Sequence, residues 1–178
     1  MYRLFAGIEI QREIGEELQA ISKKVTGASW RPIENYHITL RFMGEVDRKT
    51  AEDLDHELSL IEAKQMQLTL SGAGWFGSSE PTALWAGVEV DEGLTRLAER
   101  CDRAAKRVGL SLDKRKFRPH VTLAYCKGTP LSEAAAFADK HALLKLGRSG
   151  QTGFTSILAG LAKGRPAMCP RQNTRSLD

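Results

Sequence analysis

His37-Ile38-Thr39-Leu40-Arg41-Phe42 alternates polar and apolar side chains without a break. Successive side chains of an extended chain point to opposite faces, so Ile38, Leu40 and Phe42 are expected on a core face and His37, Thr39 and Arg41 on an open one. The opening tetrapeptide returns as His120-Val121-Thr122-Leu123, 120 − 37 = 83 residues later and close to half of the 178-residue chain. There Val121, Leu123 and Tyr125 alternate against His120, Thr122 and Ala124. A half-buried strand that sets an imidazole beside a hydroxyl thus occurs twice, which reads as an internal duplication of a two-layer α/β unit.

The segments around the two strands support a repeated cycle. Residues 4–10 read as a strand, and Ile14, Leu18, Ile21 and Val25 then recur at helical spacing, before a loop at 27–32. A helix is expected over 49–63, with Leu54, Leu58 and Ile61 on one side, then strands at 66–70 and 84–90 separated by a turn-rich loop at 72–81. Leu94, Leu97, Cys101, Ala104, Ala105 and Val108 predict a helix ended by Gly109, and a further helix covers 132–141. No linker separates the halves, so 1–178 is read as a single domain of two lobes.

Composition narrows the setting. The chain is 42% hydrophobic, enough for a sizeable core, and has neither a leader-like opening nor an apolar run approaching the ~20 residues of a membrane span. A cytoplasmic protein with no membrane partner is expected. Cys101, Cys126 and Cys169 are odd in number and contain no Cys-x-x-Cys pair, which argues for reduced thiols rather than a disulfide framework or zinc knuckle. A net charge of +4 suits a polyanionic partner, and Lys114, Arg115, Lys116 and Arg118 crowd just before His120.

Two imidazoles and two hydroxyls brought together suit phosphodiester cleavage. In-line displacement at phosphorus needs one group to take a proton from the attacking oxygen and another to give one to the leaving oxygen. Near neutral pH one imidazole can be neutral and the other protonated, since the unperturbed pKa is about 6.5. Thr39 and Thr122 can hydrogen-bond the non-bridging oxygens. A metal site fits less well, because threonine is a poor zinc ligand and no other His, Cys, Asp or Glu stands at ligand spacing on these strands. No cofactor is therefore expected. His56 reads as an exposed helix residue and His141 as one near a helix end. Arg41, at i+4 from His37, is expected on the same open face, where it would bind phosphate or form a surface ion pair. Tyr36, Trp75, Phe76 and Phe117 are candidates for stacking bases, with core packing as the alternative.

At these motifs the sequence resembles the 2H phosphoesterase superfamily, in particular the RNA 2′,3′-cyclic phosphodiesterases also called bacterial 2′-5′ RNA ligases. The resemblance is carried by residues 3–8, by Trp30-Arg31-Pro32 through Glu45, by Gly74-Trp75-Phe76 with Pro81 and 84–88, and by Phe117-Arg118-Pro119-His120-Val121-Thr122-Leu123-Ala124. It implies an α+β, bilobal fold, with two pseudo-symmetric lobes of antiparallel sheet and flanking helices around a central cleft. It also implies hydrolysis of RNA 2′,3′-cyclic phosphate ends to 2′-phosphomonoesters, with 2′-5′ ligation as the reverse chemistry, and a monomer is expected. By resemblance His37 would be the proton donor, His120 the proton acceptor, and Thr39 and Thr122 the phosphate-binding hydroxyls. Arg41, Arg118, Phe117 and Tyr36 are further candidates for substrate contacts. A non-catalytic module that grips an RNA end, or an enzyme for small cyclic nucleotides, are the competing readings. The family pattern fails at 147–178, where Gly150, Gly153, Gly160, Pro166 and Pro170 punctuate the chain and no period of two is sustained, which puts the last strand in doubt.

Overall fold

The computed structural model describes residues 1–22, 24–62, 66–111 and 116–147, and the backbone of two strands at 155–162 and 165–172. In chain order the elements are β1 (Tyr2–Glu9), α1 (Arg12–Ala20), β2 (Ala28–Trp30), β3 (His37–Val46), α2 (Arg48–Ser59), β4 (Leu70–Phe76) and β5 (Ala83–Val88). They are followed by α3 (Glu92–Arg107), β6 (His120–Cys126), α4 (Leu131–Lys140), β7 (Lys145–Leu146), β8 (Thr155–Ala162) and β9 (Arg165–Gln172). The fold is α+β, and every strand pairing in it is antiparallel.

The strand order β7-β4-β5-β6-β3-β1-β8-β9, with β2 attached to β6, shows the duplication. The unit β1–α1–β3–α2 is matched by β5–α3–β6–α4, and β3 and β6 are the strands where the halves meet, at the pair Ile38↔Val121. All four helices contribute to one apolar core: Leu18 from α1, Leu54 and Leu58 from α2, Leu94, Leu97 and Cys101 from α3, and Ala134 and Phe137 from α4. Against them pack the inward residues of the strands, among them Leu4, Ala6, Ile8, Ile38, Leu84, Ala86, Val121 and Leu123. The opposite face of the sheet is thereby left to the residues out of phase with the core.

Local chemistry fixes the helix ends. Asp47 and Asp91 cap α2 and α3 by accepting hydrogen bonds from the Thr50 and Leu94 amides. Gly109, at φ 82°, ends α3 as expected: its amide reaches Lys106 O and that of Leu110 reaches Ala105 O, the paired bonds of a left-handed glycine terminus.

Three expectations are corrected. The strand placed at 66–70 starts instead at Leu70 and runs through Phe76, into the stretch taken for a loop. Gly72 and Gly74 masked it, yet Gly74 has a packing reason, because a Cβ there would lie 2.4 Å from the Trp85 ring. At 155–172, where no strand period is legible, the backbone forms the β8–β9 hairpin, and β8 joins β1 at Arg3↔Leu161. The third correction concerns the face of β3. The β1–β3 register slips between the pairs Ala6↔Arg41 and Gly7↔Thr39. This bulge at Leu40 reverses the alternation, so Phe42 is 47% exposed while Met43 is buried.

Candidate active site

Antiparallel pairing of β3 and β6 at Ile38↔Val121 brings the two tetrapeptides side by side. Stepping one residue each way along that register sets His37 across from Thr122 and His120 across from Thr39. Ile38 and Val121 are fully buried, whereas the two histidines and two threonines are half-buried on the other face. The strand alternation expected from the sequence holds over this stretch.

Each imidazole is held the same way. His37 Nδ1 donates to the carbonyl of Asn35 at 2.9 Å, and His120 Nδ1 donates to the carbonyl of Arg118 at 2.7 Å. A carbonyl only accepts, so Nδ1 carries the hydrogen in both rings and Nε2 is left for chemistry. Each ring also has an aromatic wall. Phe5 stacks on His37 with centroids 4.4 Å apart and planes at 19°. Phe76 meets His120 edge-on at 4.8 Å and 79°, with Trp85 behind at 6.4 Å. Phe5 reaches His37 by lying over Gly7, where a Cβ would come within 3.3 Å of the Phe5 ring and 2.9 Å of Ile38 O. Burial pushes both imidazoles below the ordinary histidine value, against the upward pull of the carbonyls. For His37 the positive charges of Arg31 and of a protonated His120 push in the same direction.

Several sequence candidates lie elsewhere. Arg41 does not share the face of His37. Phe5, which stacks on His37, pairs directly with Phe42, so Phe42 occupies the imidazole face and its neighbour Arg41 points the other way. Arg41 makes a two-pronged ion pair with Asp102 of α3. The bulge at Leu40, unseen in the sequence, is the cause. Tyr36 is 1% exposed and is a core residue that cannot stack a base. Phe117 and Trp75 are partly buried and pack against the core. Arg118 is exposed and supplies the carbonyl that holds His120, while Lys114 and Arg115 lie outside the described residues. His56 is exposed on α2 and His141 caps the end of α4. Cys101 is buried, its thiol pushed up to about 12 mainly by that burial.

The sequence reading missed Phe5, Trp85 and Arg31. Phe5 and Trp85 carried a usable signal: each is the aromatic residue out of phase with its strand's buried positions, Leu4, Ala6 and Ile8 in one case and Leu84, Ala86 and Val88 in the other. Among the described residues no group of three His, Cys, Asp or Glu side chains is placed to hold a metal ion, and no helix is long and apolar enough to cross a membrane.

The fold and site define an α+β protein with two symmetry-related imidazole–hydroxyl pairs side by side on one face of the sheet. The model of the 2′-5′ RNA ligase superfamily matches residues 10–145, and the chain belongs to that superfamily. A protein named RNA 2′,3′-cyclic phosphodiesterase from Archaeoglobus fulgidus is 32% identical over 129 residues, covering 70% of this chain and 73% of that protein. One of the same name from Aeropyrum pernix is 37% identical over 107 residues, or 58% of this chain, and the match spans 61% of the relative's length. Among solved structures, Escherichia coli LigT complexed with 3′-AMP superposes with a TM-score of 0.69 at 26% identity, covering 96% of this chain and 95% of that one.

Proposed function

We propose that this chain hydrolyses 2′,3′-cyclic phosphates at RNA ends to 2′-phosphomonoesters, without a metal, by acid–base catalysis between His37 and His120. The observation that supports this reading is the β3–β6 register, which sets two imidazoles, each held through Nδ1, beside two threonines on one face of the sheet. His120 Nε2 takes the proton of the attacking water as its oxygen bonds to phosphorus. The bond from phosphorus to the 3′ oxygen breaks, and His37 Nε2–H delivers a proton to that oxygen. Thr39 and Thr122 donate to the non-bridging oxygens, whose negative charge grows in the transition state.

The assignment of His37 as donor and His120 as acceptor follows the family resemblance, and Arg31 is the charge that distinguishes the two rings, because it lowers the proton affinity of His37. Arg118, exposed two residues before His120, adds a cation for the RNA backbone. Replacing water by a ribose 5′-hydroxyl runs the same two transfers in the joining direction. Residues 1–178 are taken as one domain of two interleaved lobes, a monomer working in the cytoplasm. The strand order supports the first part, since β8 from the end of the chain closes onto β1 from its start.

The test is product identification from an oligoribonucleotide with a 2′,3′-cyclic phosphate end, in EDTA. A 2′-phosphate product is expected. A 3′-phosphate product, or turnover only when a metal is supplied, overturns the reading. The names of the relatives support the substrate class.

A further inference from the structure

The bulge that turns Arg41 away from the site also turns Phe42 toward it, and the second half of the molecule does the same. In β6 the pairing with β5 slips between Leu84↔Ala124 and Trp85↔Thr122. Leu123 and Ala124 are then both fully buried, and Tyr125 emerges 56% exposed on the side of Trp85 and His120. Phe42 and Tyr125 stand at equivalent positions, 42 − 37 = 5 and 125 − 120 = 5 residues beyond their histidines. Each carries an arginine over its ring: Arg3 lies 5.0 Å from the Phe42 centroid and Arg31 lies 5.1 Å from that of Tyr125.

Exposed aromatic–arginine pairs are common surface features, but here the pair is repeated by the internal symmetry, on the face that holds the imidazoles, and a bulge in each strand is what brings it there. β3 and β6 run antiparallel from Ile38↔Val121, so the two pairs diverge to opposite sides of the site. Allowing one residue for each bulge, three steps of about 3.3 Å put each aromatic roughly 10 Å from the centre. That is beyond the nucleotide whose phosphate reacts, so the group served is a neighbouring base.

We propose that Phe42 with Arg3, and Tyr125 with Arg31, are two base-stacking platforms that grip single-stranded RNA on either side of the central phosphate. A base stacks on the ring, and the guanidinium pairs with the adjoining phosphate. The chain's net charge of +4 agrees with such a ligand. The proposal rests on the RNA-end reading above and extends it: the site accepts a strand running through it, as the joining direction requires, and not a terminal nucleotide alone.

The probe is a fluorescein-labelled single-stranded decaribonucleotide without a cyclic end, read by anisotropy against the wild type, Phe42→Ala, Tyr125→Ala and Tyr125→Phe. Each alanine variant should bind roughly 5- to 150-fold more weakly, and Tyr125→Phe close to wild type. Affinity unchanged in both alanine variants overturns the platforms, and loss in only one overturns the two-sided grip. Hydrolysis of a 2′,3′-cyclic mononucleotide is run alongside. Wild type and alanine variants should turn it over alike, and an equal fall on mononucleotide and decamer binding would mean that the substitutions disturb the centre. If the wild type turns over neither this nor a cyclic-ended oligonucleotide, the hydrolase reading fails, while the anisotropy result still decides the platforms.

Discussion

The halves β1–α1–β3–α2 and β5–α3–β6–α4 build the same device from different side chains. Both fix an imidazole through Nδ1 to the carbonyl two residues upstream, and both wall it with an aromatic ring. They differ in charge and in ring geometry. His37 lies flat on Phe5 and feels Arg31, whereas His120 meets Phe76 at its edge. Symmetry therefore supplies the position of two imidazoles, and the departures from symmetry supply the means of telling them apart.

The largest effect tests whether the halves act as a unit. His37→Ala and His120→Ala should each lower kcat on a cyclic-phosphate oligonucleotide by about 10²- to 10⁴-fold, and the double variant should lose little more, measured by single-turnover kinetics. Product of the two losses in the double variant would mean that the imidazoles work independently. Next come the hydroxyls. Thr39→Val and Thr122→Val should each cost about 10- to 100-fold in kcat/KM, as removal of a hydrogen bond to a charged group does. A loss confined to one of them would break the equivalence of the two halves at the phosphate.

The pH profile then sharpens the asymmetry. Both imidazoles are depressed by burial in the free protein, so both limbs of the kcat/KM profile should lie at or below about pH 6.5. Removing the cation in Arg31→Gln should move the His37 limb upward and leave the His120 limb in place. The same shifts carry a stability signature. Groups whose folded pKa is below the unfolded value leave the unfolded chain binding more protons, so stability is full above about pH 6.5 and declines as pH falls toward the folded values. Urea titrations at pH 7.5 and 5.5 should show a smaller decline for a His37→Gln, His120→Gln double variant than for the wild type.

The smallest effect belongs to the outward turn of Arg41. Arg41→Ala breaks a partly buried ion pair, with side chains 18% and 24% exposed, and should destabilise the fold by about 1–2 kcal/mol after allowance for solvent screening. kcat/KM on a cyclic mononucleotide should stay within about twofold. A large loss of activity without loss of stability would return Arg41 to the phosphate.

Much of this arrangement was legible because strand alternation is a local rule. The repeat of histidine and threonine at i and i+2 was enough to expect two strands with polar residues sharing an open face, and the helices around Leu54 and Leu94 followed from their spacing. The rule failed wherever an unpaired residue reset the phase. Nothing in Leu40-Arg41-Phe42 announces a bulge, because the bulge is a property of how β3 meets β1 and depends on the partner strand. Tyr36 was misread for a related reason: its neighbour His37 is half-buried on the open face, and adjacency along the chain says little about which face the preceding residue takes. β4 was lost behind Gly72 and Gly74, of which Gly74 makes room for the Trp85 ring.

The meeting of β3 and β6 also bears on how the molecule is made. The proposed catalytic pair, whose members lie 83 residues apart and are aligned through Ile38↔Val121, gains nothing from the early, local steps of folding. Helices and hairpins close quickly because their contacts are near in sequence, while a contact of such long range waits until the intervening chain has been ordered. Activity should therefore lag behind helical signal during refolding, which makes the appearance of turnover a clock for the docking of one half on the other.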